Sequence, residues 1–317
     1  MADFRLYFAT DIHGSDRCFR KFLNAASFYQ ADVLVMGGDI TGKMIVPILP
    51  AADGTFTATV FNTRHRTGSD GLPALRKFIA DAGYYPYRTD PDEVAALKGD
   101  QKALDDLFAK VIRSTLDDWL NLAADRLAGT GVQCYLCPGN DDPGFVGPLL
   151  RGGDLVSNPE RQVVQLPGGF EMISIGFSNV TPWNSPREAS EPQLEAMITR
   201  EAQKLADPAK AIFNLHVPPL RTPLDRAMLL DAEMRPVMRG GSPVIDGVGS
   251  SAVRSAIETY QPPIALHGHI HESRGTTKLG RTVAVNPGSE YSEGILRGAL
   301  ITLSERKGLK GFQLVSG

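Results

Sequence analysis

Near the start of the chain, the apolar positions follow a two-residue period, then a helical period, then form a short continuous run. Residues 4–10 alternate in side-chain character, which predicts a first β-strand. Ser15 offers an N-cap oxygen for a following helix. The apolar positions on one face of that helix are Cys18, Phe22, Ala25 and Tyr29. The apolar run at residues 33–36 indicates a buried strand, so strand, helix and strand together predict a parallel sheet covered by helices.

Residues 43–128 interrupt this alternation. The dipeptide Asp53-Gly54 lies between apolar stretches at 45–49 and 55–61, which predicts a β-hairpin. A helical stripe follows, comprising Leu104, Leu107, Phe108, Val111, Thr115, Trp119 and Leu122, and widened by Ile112, Leu116, Leu120 and Leu127. So wide an apolar face predicts a helix packed inside the structure. We interpret residues 43–128 as an elaboration inserted into the first sheet, with a role in substrate access or in an oligomer contact.

The alternation resumes at residues 132–136, which form another short strand-like run. Later strand-like runs lie at residues 162–166, 172–177, 211–215, 264–266, 282–285 and 299–303, and helical stretches at 192–205 and 250–260. Many strands with few intervening helices predict a second sheet that faces the first. Because the sequence has no internal repeat or low-complexity linker, we predict one domain over residues 1–317.

Composition and charge exclude several classes of protein. Of 317 residues, 42% are hydrophobic and 22% charged, which excludes wholesale disorder. The 33 Lys and Arg against 36 Asp and Glu leave a net charge of −3. This balance disfavours a processive nuclease, because binding to a nucleic-acid backbone depends on clustered Lys and Arg. A local basic patch is compatible with this net charge.

The sequence also carries expectations about compartment. No apolar run approaches the ~20 residues needed to cross a membrane, so we expect no membrane partner. The first five residues lack the features of a signal peptide. Three cysteines, an odd number, argue against a disulfide framework. Cys134 and Cys137 form a C-x-x-C pair that we interpret as buried thiols. A cytoplasmic location is the expectation.

Seven polar side chains follow the predicted strands. They are Asp11, His13, Asp39, Asn140, His216, His269 and His271. The carboxyl ends of parallel strands form a ligand-binding edge. In an extended chain Asp11 and His13 would point to the same side and reach one ion, and His269 and His271 repeat that spacing.

The chemistry of this set indicates divalent ions. Imidazole nitrogens with carboxylate and amide oxygens suit Mn, Fe, Zn, Co or Ni and disfavour copper(I) and iron–sulfur clusters. Seven ligands exceed the needs of one open catalytic ion. They fit two ions if one carboxylate bridges them.

These residues resemble the signature blocks of a known family. The blocks are Asp11-Ile12-His13, Gly38-Asp39, Gly139-Asn140, His216 and Gly268-His269-Ile270-His271, followed by Asn286-Pro287-Gly288-Ser289. In this order they resemble the blocks of the calcineurin-like metallophosphoesterases. The resemblance implies an α/β (α+β) fold, a β-sandwich of two mixed sheets flanked by helices, with the hairpin-plus-helix insertion.

The resemblance also implies a function and a set of ligands. The implied ligands are Asp11, His13 and His271 for one ion, Asn140, His216 and His269 for a second, and Asp39 for both. Such a centre, with manganese favoured, hydrolyses phosphomonoesters or phosphodiesters through a bridging hydroxide. The expected substrate is a small phosphate ester, nucleotides included. The alternative is a catalytically weak or inactive scaffold of the same fold that binds a protein partner.

One position departs from the family pattern. Many relatives have a histidine after the asparagine, placed to protonate the leaving oxygen, whereas this chain has Asp141 and Asp142. With an ordinary pKa of ~3.9, Asp141 has no proton to donate at neutral pH, unless burial or the neighbouring Asp142 raises that pKa. Two alternatives stay open. The enzyme favours good leaving groups at a site that contains both aspartates, or it recruits its acid from elsewhere.

Two further residues near these blocks have alternative interpretations. His267 is expected to have a core or supporting role, because the family pattern assigns the next two histidines. Lys43 either contacts a substrate phosphate or forms a surface ion pair.

Overall fold

Two six-stranded sheets form the frame of the protein. The computed structural model describes residues 3–150, 155–231 and 233–317. The strands are β1 (Asp3–Ala9), β2 (Val33–Met36), β3 (Ile45–Pro50), β4 (Phe56–Val60), β5 (Thr63–Thr67), β6 (Tyr85–Arg88), β7 (Gln133–Leu136), β8 (Val156–Ser157), β9 (Val163–Leu166), β10 (Phe170–Ile175), β11 (Ser178–Asn179), β12 (Glu188–Ala189), β13 (Ala211–Leu215), β14 (Arg226–Met228), β15 (Met238–Arg239), β16 (Ser242–Pro243), β17 (Ile245–Gly247), β18 (Ile264–Leu266), β19 (Gly275–Leu279), β20 (Thr282–Asn286), β21 (Arg297–Ser304) and β22 (Gly308–Ser316). The α-helices are α1 (Asp16–Phe28), α2 (Leu72–Asp81), α3 (Pro91–Gly99), α4 (Gln101–Leu127), α5 (Val146–Leu149), α6 (Glu191–Ala202) and α7 (Ser251–Tyr260).

Both sheets are mixed, as the sequence predicts. The first has the order β22-β21-β1-β2-β7-β8, with β1, β2, β7 and β8 parallel. The second has the order β19-β20-β18-β13-β10-β9, with β10, β13, β18 and β20 parallel and antiparallel strands at both edges. The parallel strands of each sheet therefore end at one edge, where the loops that follow them collect.

The apolar alternation of β1 explains the layered core. Phe4, Leu6 and Phe8 belong to the core between the two sheets, whereas Tyr7 and Ala9 belong to the core beneath the helices. Because successive side chains of a strand point to opposite faces, one strand supplies both cores. Helices α1 and α4 cover the outer face of the first sheet, and α6 and α7 cover that of the second.

Helix α4 differs from the buried helix that its wide stripe predicts. Its buried residues are Leu107, Ile112, Leu116, Trp119, Ala123 and Leu127. The flanking apolar residues are half-buried, and the opposite face, which includes Asp117 and Asp118, is exposed. Trp119 stacks on Phe19 of α1 with ring centroids 4.3 Å apart and donates to Asp16 Oδ1 at 3.0 Å. The helix thus covers the sheet on one face only.

The insertion forms a small sheet of its own, in the order β5-β4-β3-β6. The predicted hairpin is confirmed, and its turn is held by Asp53 Oδ1, which accepts from Thr55 N at 3.2 Å. Strand β6, which the sequence analysis missed, contains a proline and pairs in parallel with β3. The apolar residues of this unit pack on α2, while α4 covers the main sheet, so the separately packed part is shorter than residues 43–128.

Short two-stranded ribbons complete the fold near the edge where the loops after the parallel strands collect. Strands β14 and β17 pair antiparallel, as do β15 and β16, and together they form an arm at residues 226–231 and 233–247. The arm left no sign in the hydrophobic pattern, because its strands are only two or three residues long. In the described ranges, no helix combines the length and apolar character needed to cross a membrane.

Candidate active site

The seven polar side chains singled out in the sequence meet at the shared edge of the two sheets. We call Asp11, His13, Asp39, Asn140, His216, His269 and His271 the polar cluster. They follow β1, β2 and β7 of the first sheet and β13 and β18 of the second. All but His269 and His271 are buried, and those two are half-buried. Loops from both sheets are therefore needed to build the cluster.

The reason that Asp11 and His13 converge differs from the predicted one. Strand β1 ends at Ala9, so both residues lie beyond it, with φ of 54° and 40°. Asp39 and His269 also have positive φ, a conformation that is uncommon outside glycine. His13 N donates to Asp39 O at 3.0 Å, which ties two of these loops together. Tight left-handed turns, and not the alternation of an extended strand, aim these side chains.

Three members of the polar cluster form a first group. The Nε2 atoms of His13 and His271 are 3.0 Å apart, and Asp11 Oδ1 lies 3.4 Å from His271 Nε2. One ligand atom from each residue lies within 4.8 Å of the others, a spacing that could hold a metal ion. His269 lies outside this group, in keeping with the assignment of His269 and His271 to different ions that the resemblance implies.

A second group contains His269 and His216. Asn140 Oδ1 lies 3.0 Å from His216 Nε2 and 2.8 Å from His269 Nδ1. Asp39 Oδ2 is 3.5 Å from His216 Nε2 and 3.7 Å from His13 Nε2. The Asp39 carboxylate thus lies between the two groups.

Two glycines in the family blocks allow the backbone to pass close to candidate ligands of the cluster. A Cβ added to Gly139 would overlap the backbone N and Oδ1 of Asp39. A Cβ added to Gly268 would overlap Asp11 Oδ2, whose carboxylate accepts from His269 N at 3.1 Å. Both glycines occupy places where a side chain would displace a candidate ligand.

The charge balance of the cluster fits divalent cations. Burial raises the pKa of Asp39 to about 6, in opposition to the neighbouring His216. Burial works against the charged form of His216, but Asp39 and Asp11 raise its pKa to about 9. Burial lowers the pKa of His269 to about 3, and the neighbouring His216 contributes to this lowering. A buried histidine must carry a proton to offset these carboxylates, and a divalent cation among the same donors would offset them better.

Comparison with known proteins agrees with the architecture. No protein-family model matches the chain. An uncharacterized protein of Methanocaldococcus jannaschii, MJ1162, is 34% identical over 156 residues, which is 48% of this chain and 62% of MJ1162. The match thus spans less than two thirds of that relative's length.

Two solved structures align over almost the whole chain. TT1561 of Thermus thermophilus is 13% identical and covers 100% of this chain and 99% of its own, with a TM-score of 0.51. A second solved structure, 16% identical, covers 99% of both chains with a TM-score of 0.56. The chain has the calcineurin-like metallophosphoesterase fold. The two mixed sheets that the resemblance implies are thereby confirmed.

Asp141 lies at the edge of the polar cluster of this metallophosphoesterase fold, paired with Lys43. Its Oδ1 accepts from Ser185 Oγ at 2.6 Å, and its backbone N donates to Asp39 Oδ1 at 2.9 Å. Burial acts to raise the pKa of Asp141, but Lys43 and Ser185 outweigh it and lower that pKa to about 2. Asp141 is therefore an anion that accepts hydrogen bonds, and Lys43 forms an ion pair at the site itself.

The structure places Asp142 in a buried position beside the cluster, and its predicted catalytic role stays a prediction. Its carboxylate is fully buried and accepts from the backbone N atoms of Ile40, Thr41 and Gly139 at 2.6–3.0 Å. It also accepts from Thr41 Oγ1 at 2.6 Å. With its oxygens held by these donors, Asp142 joins the loop after β2 to the loop after β7.

Arg187, which no pattern in the sequence singles out, supports the polar cluster. Its Nη1 donates to Gly139 O at 2.7 Å, and its backbone N donates to Asn140 O at 3.0 Å. The guanidinium also pairs with the buried carboxylate of Glu160 and lies 4.5 Å from the ring centroid of Phe177. Arg187 thus holds the loop that carries Asn140, from a position remote in sequence.

Other residues noted in the sequence lie away from the chemistry. His267 is buried, and its Nδ1 lies 2.7 Å from Leu215 O. Burial lowers its pKa to about 4, so it is a neutral core histidine. Cys134 and Cys137 are buried thiols without a disulfide. Tyr291, which no sequence pattern singles out, packs beside His13 with the ring centroids 4.8 Å apart and the rings tilted by 47°.

A cleft of about 880 Å³ opens above the polar cluster. Its lining includes a set of apolar residues that we call the apolar wall, which consists of Val180, Pro182, Trp183, Met228, Leu229 and Leu230. The wall comes from the loop after β11 and from the arm. Among the described residues that line the cleft, Lys43 is the single contribution of residues 43–128. The insertion therefore reaches the cleft at Lys43 while other segments form the wall, and its role in substrate access or in an oligomer contact stays a prediction.

Proposed function

We propose that the protein is a metal-dependent hydrolase of phosphoric esters. One observation carries the proposal, the position of the Asp39 carboxylate between two groups of metal-ligand type. The ligands would be Asp11, His13 and His271 for one ion, Asn140, His216 and His269 for the other, and Asp39 for both. Ions bound there would supply a Lewis acid for a phosphoryl oxygen and a nucleophile at neutral pH.

The metal proposed is manganese, within a group that includes iron, zinc, cobalt and nickel. A mixed set of imidazole nitrogens with carboxylate and amide oxygens suits these ions. The donor set contains no thiolate, because the three cysteines lie elsewhere as buried thiols. Manganese is the ion to load first in the test below.

The residues around the cluster have separate tasks in this proposal. The Lys43 ammonium attracts the negative phosphate to the cleft, and Asp141 holds that ammonium in place. Asp141 also orients Asp39 through its backbone N–H. Because Asp141 is ionised and paired, it does not donate a proton to the leaving oxygen. We therefore expect esters with good leaving groups to be hydrolysed faster than esters with poor leaving groups.

The test combines metal content with turnover. Protein stripped by a chelator and reloaded with Mn²⁺ is assayed for bound metal and for hydrolysis of nitrophenyl phosphate and bis-nitrophenyl phosphate. We expect about two ions per chain and turnover that disappears with the metal. Stoichiometric metal with no turnover on either ester would favour the alternative of a scaffold.

A further inference from the structure

The cleft has two chemically different sets of lining residues. Four members of the polar cluster line it together with Lys43 and Asp141, namely Asp39, Asn140, His269 and His271, and the apolar wall lines it as well. Ser185 joins them, because its hydroxyl donates to Asp141 while its chain neighbours include Trp183 of the wall. The wall is therefore part of the same cavity as the candidate metal ligands.

Large apolar side chains of the wall are exposed to water. The side chains of Val180, Trp183 and Met228 have exposed fractions of 67%, 66% and 43%. Apolar surface beside a catalytic cleft gains free energy when a ligand covers it. These three residues therefore favour an apolar ligand group above the polar cluster.

The loop that carries Trp183 is anchored. Glu188 accepts from the backbone N atoms of Thr181 and Ser185 at 3.0 and 2.9 Å, and from Thr181 Oγ1 at 2.5 Å. Trp183 N itself donates to Thr181 Oγ1 at 3.2 Å. Since these bonds fix the loop on both sides of Trp183, the exposed indole is presented by an ordered turn. Such a preformed surface costs little to bind a ligand.

The charges of the cleft restrict the ligand further. Among the described residues that line it, Lys43 alone is a lysine or arginine, and Asp141 already pairs with it. Glu272 at the rim adds a carboxylate. A ligand with a second phosphate or a carboxylate would meet these anions without a further cationic partner. One phosphate at the cluster is all that the cleft accommodates well.

We propose that the group esterified to the phosphate is a bulky, uncharged, apolar group that lies on Val180, Trp183 and Met228. This inference rests on the proposed function and names its substrate class. Both an aryl or nucleobase-like ring and an alkyl chain share this chemistry. Polyol phosphates and nucleoside diphosphates do not.

The test is a series of phosphate monoesters whose alcohols have similar acidity, so that leaving-group chemistry stays constant. Methyl, butyl and octyl phosphates form an alkyl series, and benzyl and naphthylmethyl phosphates form an aryl series. Glycerol phosphate is the polar comparison compound. We expect kcat/KM of the manganese-loaded protein to rise with the apolar area of the substrate, by roughly tenfold or more from the smallest to the largest member of a series. The rise should come mainly from a lower KM. The series along which kcat/KM rises more steeply shows whether the apolar group of the substrate is an alkyl chain or an aromatic ring.

Variants then locate the effect. Trp183→Ala is expected to remove most of the rise in kcat/KM along the aryl series, and Trp183→Phe to retain much of it. Phe28→Ala is the matched control, because Phe28 is an exposed aromatic residue of α1 that does not line the cleft. Bound manganese should be the same in all three variants.

A second readout does not need turnover. Naphthylmethanol, the neutral product, should quench the fluorescence of Trp183 in the metal-stripped protein, whereas the other tryptophan, Trp119, is buried. Trp183→Phe should abolish that quenching.

The outcomes that would count against the inference are distinct. If nitrophenyl esters are hydrolysed but kcat/KM is independent of apolar area, the inference is overturned and the proposed function survives. If the loaded protein hydrolyses no ester, both are overturned. If Trp183→Ala changes the sedimentation coefficient and leaves the substrate preference unchanged, the wall is a contact between copies of the chain and the inference is wrong.

Discussion

The polar cluster is made of side chains that are buried or half-buried, whereas the apolar wall keeps large side chains in water. Each carboxylate or imidazole of the cluster lies within contact distance of another, and backbone hydrogen bonds tie their loops together. Trp183 and Val180 of the wall are about two-thirds exposed, and the anchoring comes from Glu188 below them.

This difference indicates how the two regions tolerate change. In the cluster, a substitution leaves a buried charge without its partner or forces two ligands apart, so the cost is high. In the wall, a substitution removes surface that only a ligand covers. We therefore expect changes in the cluster to abolish chemistry and changes in the wall to alter preference among substrates.

The largest effect is expected from Asp39→Asn. This variant removes the carboxylate that lies between the two groups, so we expect a loss of kcat on the order of 10³-fold together with loss of bound metal. Metal analysis and nitrophenyl phosphate hydrolysis measure both. Asp117→Asn, which alters an exposed carboxylate on α4, is the control. Full activity in Asp39→Asn would remove the distinction between cluster and wall.

Arg187→Met tests the support beneath the cluster. It leaves Glu160 buried without its partner, and we expect a loss of about 3 kcal/mol in the free energy of unfolding. Urea denaturation measures that loss. The double variant Arg187→Met with Glu160→Met should lose less, because no uncompensated charge remains. Equal losses in the single and double variants would contradict the role of the ion pair.

Gly139→Ala sharpens the comparison at a single methyl group. The added Cβ would overlap Asp39, so we expect manganese affinity to fall roughly 10–100-fold, as for changes that displace a ligand. Titration of the stripped protein with Mn²⁺ gives the affinity. Gly144→Ala is the matched control, because a Cβ there meets no atom within 4 Å. Equal affinities in the two variants would mean that the loop adjusts without cost.

The smallest effect is expected from Lys43→Met, at the boundary between cluster and wall. Loss of the ammonium should raise KM for phosphate esters roughly tenfold while bound metal stays unchanged. Steady-state kinetics with parallel metal analysis separates the two quantities. Lys98→Met, on the exposed surface of α3, should change neither. A parallel drop in metal content would instead make Lys43 a support of the cluster.

Much of the frame could be predicted because it depends on local burial patterns. The runs at residues 33–36, 211–215 and 264–266 became strands with the expected bounds, since a buried strand must be apolar on both faces. Strand β6 escaped prediction because a four-residue segment with a proline has no clear period. The predicted single domain and cytoplasmic location stay predictions.

The residues of the site and their division into two groups could be predicted from the family resemblance, whereas the turns that aim the side chains could not. Asp39 and His216 stand in short blocks whose order can be read along the chain. The left-handed turn at His269, which directs it away from the group of His271, does not show in the sequence. The role of Asp142 depends on backbone donors from the loop after β2, about a hundred residues earlier.

The amino-acid sequence by itself determined the two-sheet architecture and the identity of the candidate ligands, because periodic burial and residue chemistry are local properties. The tertiary structure alone decided the distances within each group, the support of the loops by Arg187 and Asp142, and the presence of an apolar wall in the same cleft as the polar cluster. These features arise from contacts between segments far apart in the chain. No period or spacing along the sequence records such contacts, because they depend on how the two sheets bring their loops to one edge.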